Sequence, residues 1–154
     1  MRTGEVEAYL REHIPLSADM QIDVLEAGPE GVKIEVPLAP NVNHRSTAFG
    51  GSVAALAILT GWTLVHLRLR AEGLVTHTVI QSSAVHYDAP IHGTFRAESE
   101  PIEARSWDRF TRGITKHGKG RVHVTVHVVA EGIAAASFTG AYVGIAGLKS
   151  AGDA

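Results

Sequence analysis

Two adjacent glycines, Gly50 and Gly51, head a stretch that runs from Phe49 to Leu67 without a charged side chain. Apolar residues at this density read as a helix buried on most sides. The glycines then fall at its start, where the first N–H groups have no acceptor within the helix and sit at the positive end of its dipole. Such amides can hold negative charge developing on an oxygen, and the missing Cβ atoms let a ligand approach the backbone closely. Ser52 can cap the helix beside them, Arg68 and Arg70 suit the negative end of the dipole, and Gly73 ends it.

The other chemistry-bearing residues narrow the field. Cysteine is absent, which removes disulfides, thiolate nucleophiles and cysteine-ligated metals. Nine histidines raise the question of a metal centre. His123 and His127 share a strand face, but strand rise sets them about 13 Å apart, too far for one ion. No carboxylates alternate with them, so no metal is expected and both should face solvent or a partner subunit. The segment Arg109 to Arg121 gathers Arg112, Lys116, Lys119 and Arg121 among glycines. It suits phosphate groups or an acidic protein surface, or is a solvated turn.

A chain of 154 residues with 45% hydrophobic and 19% charged residues fits one globular domain, expected over residues 1–146 with a frayed tail at 147–154. Its formal net charge of -2 gives no field to draw nucleic acid or an anionic membrane. The N-terminal MRTGEVEAYLREHIPL mixes acids with apolar residues, does not read as a secretory signal, and leads to the expectation of a cytoplasmic protein. A membrane span needs about 20 apolar residues. Val53 to Leu67 is shorter, so the helix is expected to be buried in protein.

Period-two patterns supply what surrounds it. Met20–Glu26 and Val32–Val36 are strands joined through AGPEG as a hairpin, and the run Thr76–Pro90, a turn through His92 and Gly93, and a strand Thr94–Glu103 are expected to form a second hairpin. Val122, Val124, Val126 and Val128 alternate with Arg121, His123, Thr125 and His127, and Glu131-Gly132 turns this strand into Ala134–Val143. Amphipathic helices are expected on the outside at Gly4–His13 and Ser106–Ile114, the second capped by Ser106. The sum is an α+β domain, with an antiparallel sheet of about six strands wrapped around one long apolar helix. The sheet's inner face needs filling and the helix needs covering.

That arrangement is the hotdog fold. The NHRSTAFGGS of Asn43–Ser52 and the YDAPIHG of Tyr87–Gly93, a Y-x-x-P-x-x-G turn, resemble hotdog acyl-CoA thioesterases. The N-x5-F-G-G-S pattern, the TGW of Thr60–Trp62 and the later GKGRVHVTVHV and SFTGAYV resemble the YiiD C-terminal thioesterase family, from about Met20 to Ile145.

The resemblance implies hydrolysis of an acyl thioester, with the amides at Gly51 facing a tetrahedral oxyanion. Asn43 stands where related N-x5-H-G-G enzymes carry the asparagine that orients the thioester or the attacking water. Phe49 replaces the histidine of that pattern, and the carboxylate those relatives carry two turns into the helix is missing around Ile58. A general base must come within hydrogen-bond reach of the water. His44 and Asp88 are the candidates, ahead of His86. Phe49, Gly50, Ser52, Thr60 and Ser83 are expected to line the substrate, with Ser82 nearby, while Leu56, Leu59 and Trp62 set the depth of the acyl tunnel. Arg112, Lys116, Lys119 and Arg121 would receive coenzyme A phosphates or an acyl-carrier protein. No cofactor is expected. An open sheet edge and the resemblance both lead to a homodimer or a dimer of dimers. The alternative to a hydrolase is a non-catalytic acyl-CoA or acyl-carrier binding protein. A hydratase or dehydratase is a weaker reading, because the signatures of those enzymes are absent.

Overall fold

Strictly alternating valines build the middle of the sheet. In β5 (Lys119–Ala130), Val122, Val124, Val126 and Val128 are all buried while Arg121 and His123 are exposed. Each buried valine contributes roughly 1.5–3 kcal/mol relative to exposure, so this strand can lie only one way up. The computed structural model describes residues 1–147. Its other elements are α1 (Thr3–His13), α2 (Pro15–Asp19), β1 (Asp23–Ala27), β2 (Val32–Val36), α3 (Gly50–Ala71), β3 (Thr76–Tyr87), β4 (Phe95–Ser99), α4 (Ala104–His117) and β6 (Ile133–Ala146). The six strands form one antiparallel sheet in the order β1-β2-β4-β5-β6-β3.

The apolar α3 packs against all six strands. By length and composition alone it could cross a membrane, yet Leu56, Ala57, Leu64 and Val65 are fully buried against the sheet. Tyr142 of β6 pins its centre, donating a 2.6 Å hydrogen bond from its hydroxyl to the carbonyl of Ile58. Burial pushes the phenol well above its usual pKa, so it stays a donor. Gly61 makes room for it, since a Cβ there would stand 2.5 Å from the Tyr142 oxygen. This is the hotdog arrangement, with the long helix at the centre of the sheet.

Three local expectations are corrected. β3 and β4 are not a hairpin: β3 pairs along its length with β6, while β4 lies between β2 and β5. The 14-residue β6 is long enough to match the 12-residue β3, so the Tyr87–Gly93 segment is a crossover between distant parts of the sheet. β1 begins at Asp23, not Met20, because Pro15 starts a short helix and Gln21 takes a positive φ of 60°. Neither serine caps a helix: α4 starts after Glu103 and α3 after Phe49, both without a side-chain cap bond.

α4 buries Trp107, Phe110 and Ile114. It can lie against the sheet because Gly120 and Gly144 face it; a Cβ on Gly120 would fall 2.2 Å from the Phe110 carbonyl oxygen. The Trp107 indole N–H donates to the Glu72 carboxylate at 2.7 Å and Arg68 stacks over its ring, which ties α4 to the far end of α3. Apart from Gly147, the tail expected to fray lies outside the described residues.

Candidate active site

The glycine turn opens onto a cleft of about 320 Å³ walled by Gly50, Val53, Tyr87, Asp88, Ile91 and Ala135. The chain is extended at Phe49 and enters the helix at Gly50. The N–H groups of Ser52 and Val53 both bond the Phe49 carbonyl, at 3.0 and 3.1 Å. Those of Gly50 and Gly51 find no acceptor among the described residues. Two donors are thus left at the positive end of a 22-residue helix, and Gly50, the first of the two residues, lines the cleft.

The preceding loop is held by Asn43. Its Oδ1 accepts from the Arg45 and Thr47 N–H groups at 2.8 and 3.2 Å, and its Nδ2 donates to the Thr47 hydroxyl at 2.8 Å and the Ala48 carbonyl at 3.4 Å. Both ends of the amide are therefore engaged inside the loop. The Ala48 N–H bonds the Ile91 carbonyl and the Phe49 N–H bonds the Asn41 carbonyl, docking the turn against the crossover and the segment before it. On the crossover itself, the Asp88 and Ala89 N–H groups both reach the Ala135 carbonyl. That fixes the cleft wall opposite the glycines.

The remaining site candidates divide by position. Asp88 stands exposed on the cleft wall, and His44 is exposed on the Asn43 loop. Phe49, 56% exposed, lays its ring over Gly51, where a Cβ would come within 2.4 Å of it. Ser52 is half-buried in the first turn, and Ser83 is exposed on β3, four residues before Tyr87. Thr60 is fully buried and spends its hydroxyl on the Leu56 carbonyl at 2.8 Å, away from the cleft.

The basic segment is not beside the glycines within one chain. Val128 pairs with Ala136, which pairs with Tyr87 at the cleft, whereas Arg121 pairs with Val143 opposite Val79. Seven residues of β5 separate the two levels, about 23 Å at a rise of ~3.3 Å. Lys119 lies farther still, and Arg112 lines a separate open cleft with Glu72 and Asp108. Lys116 follows it on α4. His127 contacts Glu100 at 2.5 Å on the strand face it shares with His123. Among the described residues no group of three metal-ligating side chains occurs.

Tyr87 is the residue whose part the sequence understated. Its motif was visible, but not that its hydroxyl would donate to the Gly50 carbonyl at 2.9 Å while its ring shields Gly50. Ala135 and Ala136, the small residues that leave the cleft open, gave only the signal of an alanine run at the start of β6.

Known proteins agree with this architecture. The structure is similar to the putative thioesterase from Shewanella oneidensis, with 26% identity, a TM-score of 0.81, and 93% of this chain and 96% of that one covered. It also superposes on a protein of unknown function from Chlorobaculum tepidum at 23% identity and TM-score 0.88, covering 94% of each chain. A thioesterase from Haemophilus influenzae shares the fold at 14% identity and TM-score 0.76, over 98% of this chain and 95% of that one. The family model described as "Putative thioesterase (yiiD_Cterm)" matches residues 3–146. The chain belongs to this YiiD C-terminal family.

Proposed function

We propose that the protein hydrolyses an acyl thioester, carried on coenzyme A or on an acyl-carrier protein, to a free acid and a thiol. The observation that supports this most is the pair of amides at Gly50 and Gly51, without an acceptor among the described residues, at a helix start whose first residue, Gly50, lines the cleft. A thioester carbonyl seated there gains two hydrogen bonds that strengthen as its oxygen becomes an oxyanion. Asn43 keeps the turn in shape, Phe49 and Tyr87 flank the entry, and Asp88 is placed to hold the attacking water, with His44 on the neighbouring loop.

The chain works as a homodimer in this reading. β3 is an edge strand of 12 residues with no proline and no charged residue, so it lacks the usual devices that keep edges from pairing. A second copy added antiparallel along β3 brings its own basic segment to the cleft end of the first, where Lys119 and Arg121 can reach coenzyme A phosphates. Light scattering at micromolar concentration checks this assembly, and a monomer would count against it.

The deciding experiment is release of free thiol from acyl-CoA substrates over a range of chain lengths, read with a thiol reagent. Turnover supports the hydrolase. Tight binding without turnover would support the non-catalytic acyl-CoA binder, a reading favoured by the apolar surroundings of Ile58, which hold no carboxylate.

A further inference from the structure

At the end of α3 away from the glycines, Tyr9, Trp62, His66, Arg70 and the start of β3 wall a cavity of about 660 Å³. The His66 ring is stacked between Trp62, with centroids 4.7 Å apart, and Tyr9, 5.3 Å away. Its Nε2 is buried without a hydrogen-bond partner among the described residues. A buried polar atom in that state calls for a water or a ligand group. Burial, then the charges of Arg70 and His13, hold its pKa below the ordinary histidine value. Among the described residues, the titratable and charged groups around it are Arg70 on its own helix, Tyr9 and His13 on α1, and His77 on β3, and no carboxylate lines the cavity. The ring is therefore a neutral proton acceptor at pH 7.

Three hydrogen bonds fix how α3 lies along β3. Tyr87 holds Gly50, Tyr142 holds Ile58 from a position paired with Ile80, and the Trp62 indole donates to the Thr78 carbonyl at 2.8 Å. Helix and strand thus run in opposite directions, with Ile58 near the middle of β3. A two-fold axis through that middle, near Gln81 and Ser82, sets the partner's α3 antiparallel to the first. His66 lies eight residues beyond Ile58 and Gly50 eight before it, so the partner's His66 comes level with Gly50. The exposed apolar residues fit the same pairing. Val75 and Val79, 79% and 51% exposed, sit at one end of β3, and Tyr87 with Phe49, each 56% exposed, at the other.

We propose that the partner's His66 is the general base of the thioester site, taking the proton of the water that attacks the carbonyl held at Gly50 and Gly51. This rests on the thioesterase reading and supplies the acceptor that the helix around Ile58 lacks. As the carbon–oxygen bond forms, the water proton passes to the imidazole and the carbonyl π electrons move onto the oxygen facing the glycine amides. When those electrons return, the carbon–sulfur bond breaks. The sulfur leaves with the bonding pair and takes the proton from the imidazolium. An acid and a thiol result, and the ring is neutral again. Asp88 orients the water in this scheme.

The test compares wild type, His66→Gln and Asp88→Asn for thiol release across pH, with mass by light scattering. His66→Gln is expected to stay dimeric and lose about 10²–10⁴ in kcat, with KM little changed. It should also lose the acid limb of the pH profile, which in wild type falls below the ordinary histidine range. His66→Phe, which keeps the stack filled, should be as inactive and guards against a folding defect. Co-refolding His66→Gln with Gly51→Pro, each inactive alone, should restore about a quarter of wild-type activity, because half the dimers are mixed and hold one intact site. A His66→Gln enzyme with full kcat and the acid limb intact, or mixtures that stay inactive, would overturn the role of His66 and leave the hydrolase reading standing. A wild-type protein that turns over no thioester would overturn that reading, and the role of His66 with it.

Discussion

The hydroxyl of Tyr87 donates to the carbonyl of Gly50 at 2.9 Å, fastening the last residue of β3 to the first residue of α3. Both residues line the cleft, so the way the helix start faces it depends on the end of the edge strand. Tyr87→Phe keeps the ring over Gly50 and removes the bond. Stability should drop by about 0.5–1 kcal/mol, the low end for a solvent-exposed hydrogen bond, as read from urea denaturation. Thiol release should fall several-fold more than that loss of folded protein explains.

Gly51 answers differently to alanine and to proline. At Gly51 the atoms nearest to an added methyl group all belong to the movable ring of Phe49, so Gly51→Ala should fold normally with activity within a few-fold of wild type. Gly51→Pro is sterically acceptable in the first helical turn but deletes the N–H. Loss of one oxyanion donor costs about 2.7–4 kcal/mol of transition-state stabilisation, so kcat should fall about 10²–10³-fold with the far-UV circular dichroism unchanged. Equal effects of alanine and proline would argue that the amide is not used.

Asn43 makes four hydrogen bonds within its loop. Asn43→Ala should lower stability by about 1–3 kcal/mol through the polar groups left unpaired. Asn43→Asp, which keeps both accepted bonds, should recover much of this. If instead the aspartate folds like wild type yet is inactive, the amide touches substrate directly.

His66 makes stability depend on pH. Its folded-state pKa is lowered, so the unfolded chain binds more protons over the window between the folded value and about 6.5. Its contribution is fully present above pH ~6.5 and is lost as pH falls through the folded pKa. Urea midpoints measured from pH 7.5 to pH 5 should decline, and the decline should be shallower in His66→Phe. An identical slope in the two proteins would show that other groups govern acid sensitivity.

The parts of the fold legible in the sequence are those set by local periodicity. The alternating valines of β5 and the uncharged helix from Phe49 to Leu67 each fix which side is buried, whatever their neighbours do. Strand partners were less legible. Adjacency in the chain made a β3–β4 hairpin the simple choice, but pairing is decided by matching lengths across the sheet, and β6 fits β3 along its whole length. The candidate site shows the same division. Glycines at a helix start announce free amides, whereas the distance from Arg121 to the cleft depends on register across three strands and could not be read from spacing. The motif singled out Asn43 for contact with the thioester or the attacking water, whereas the structure engages its amide with the loop around it.

Gly61 and Tyr142 bear on the history of the chain as well as its stability. The phenol can reach Ile58 only because position 61 carries no side chain. Neither position is free to drift by itself: a lineage that acquires alanine at 61 must first have shed the tyrosine or must shed it soon after. Across homologous sequences the two sites should change as a pair, and a chain keeping tyrosine at one with a bulky residue at the other would have to thread its central helix along a different path.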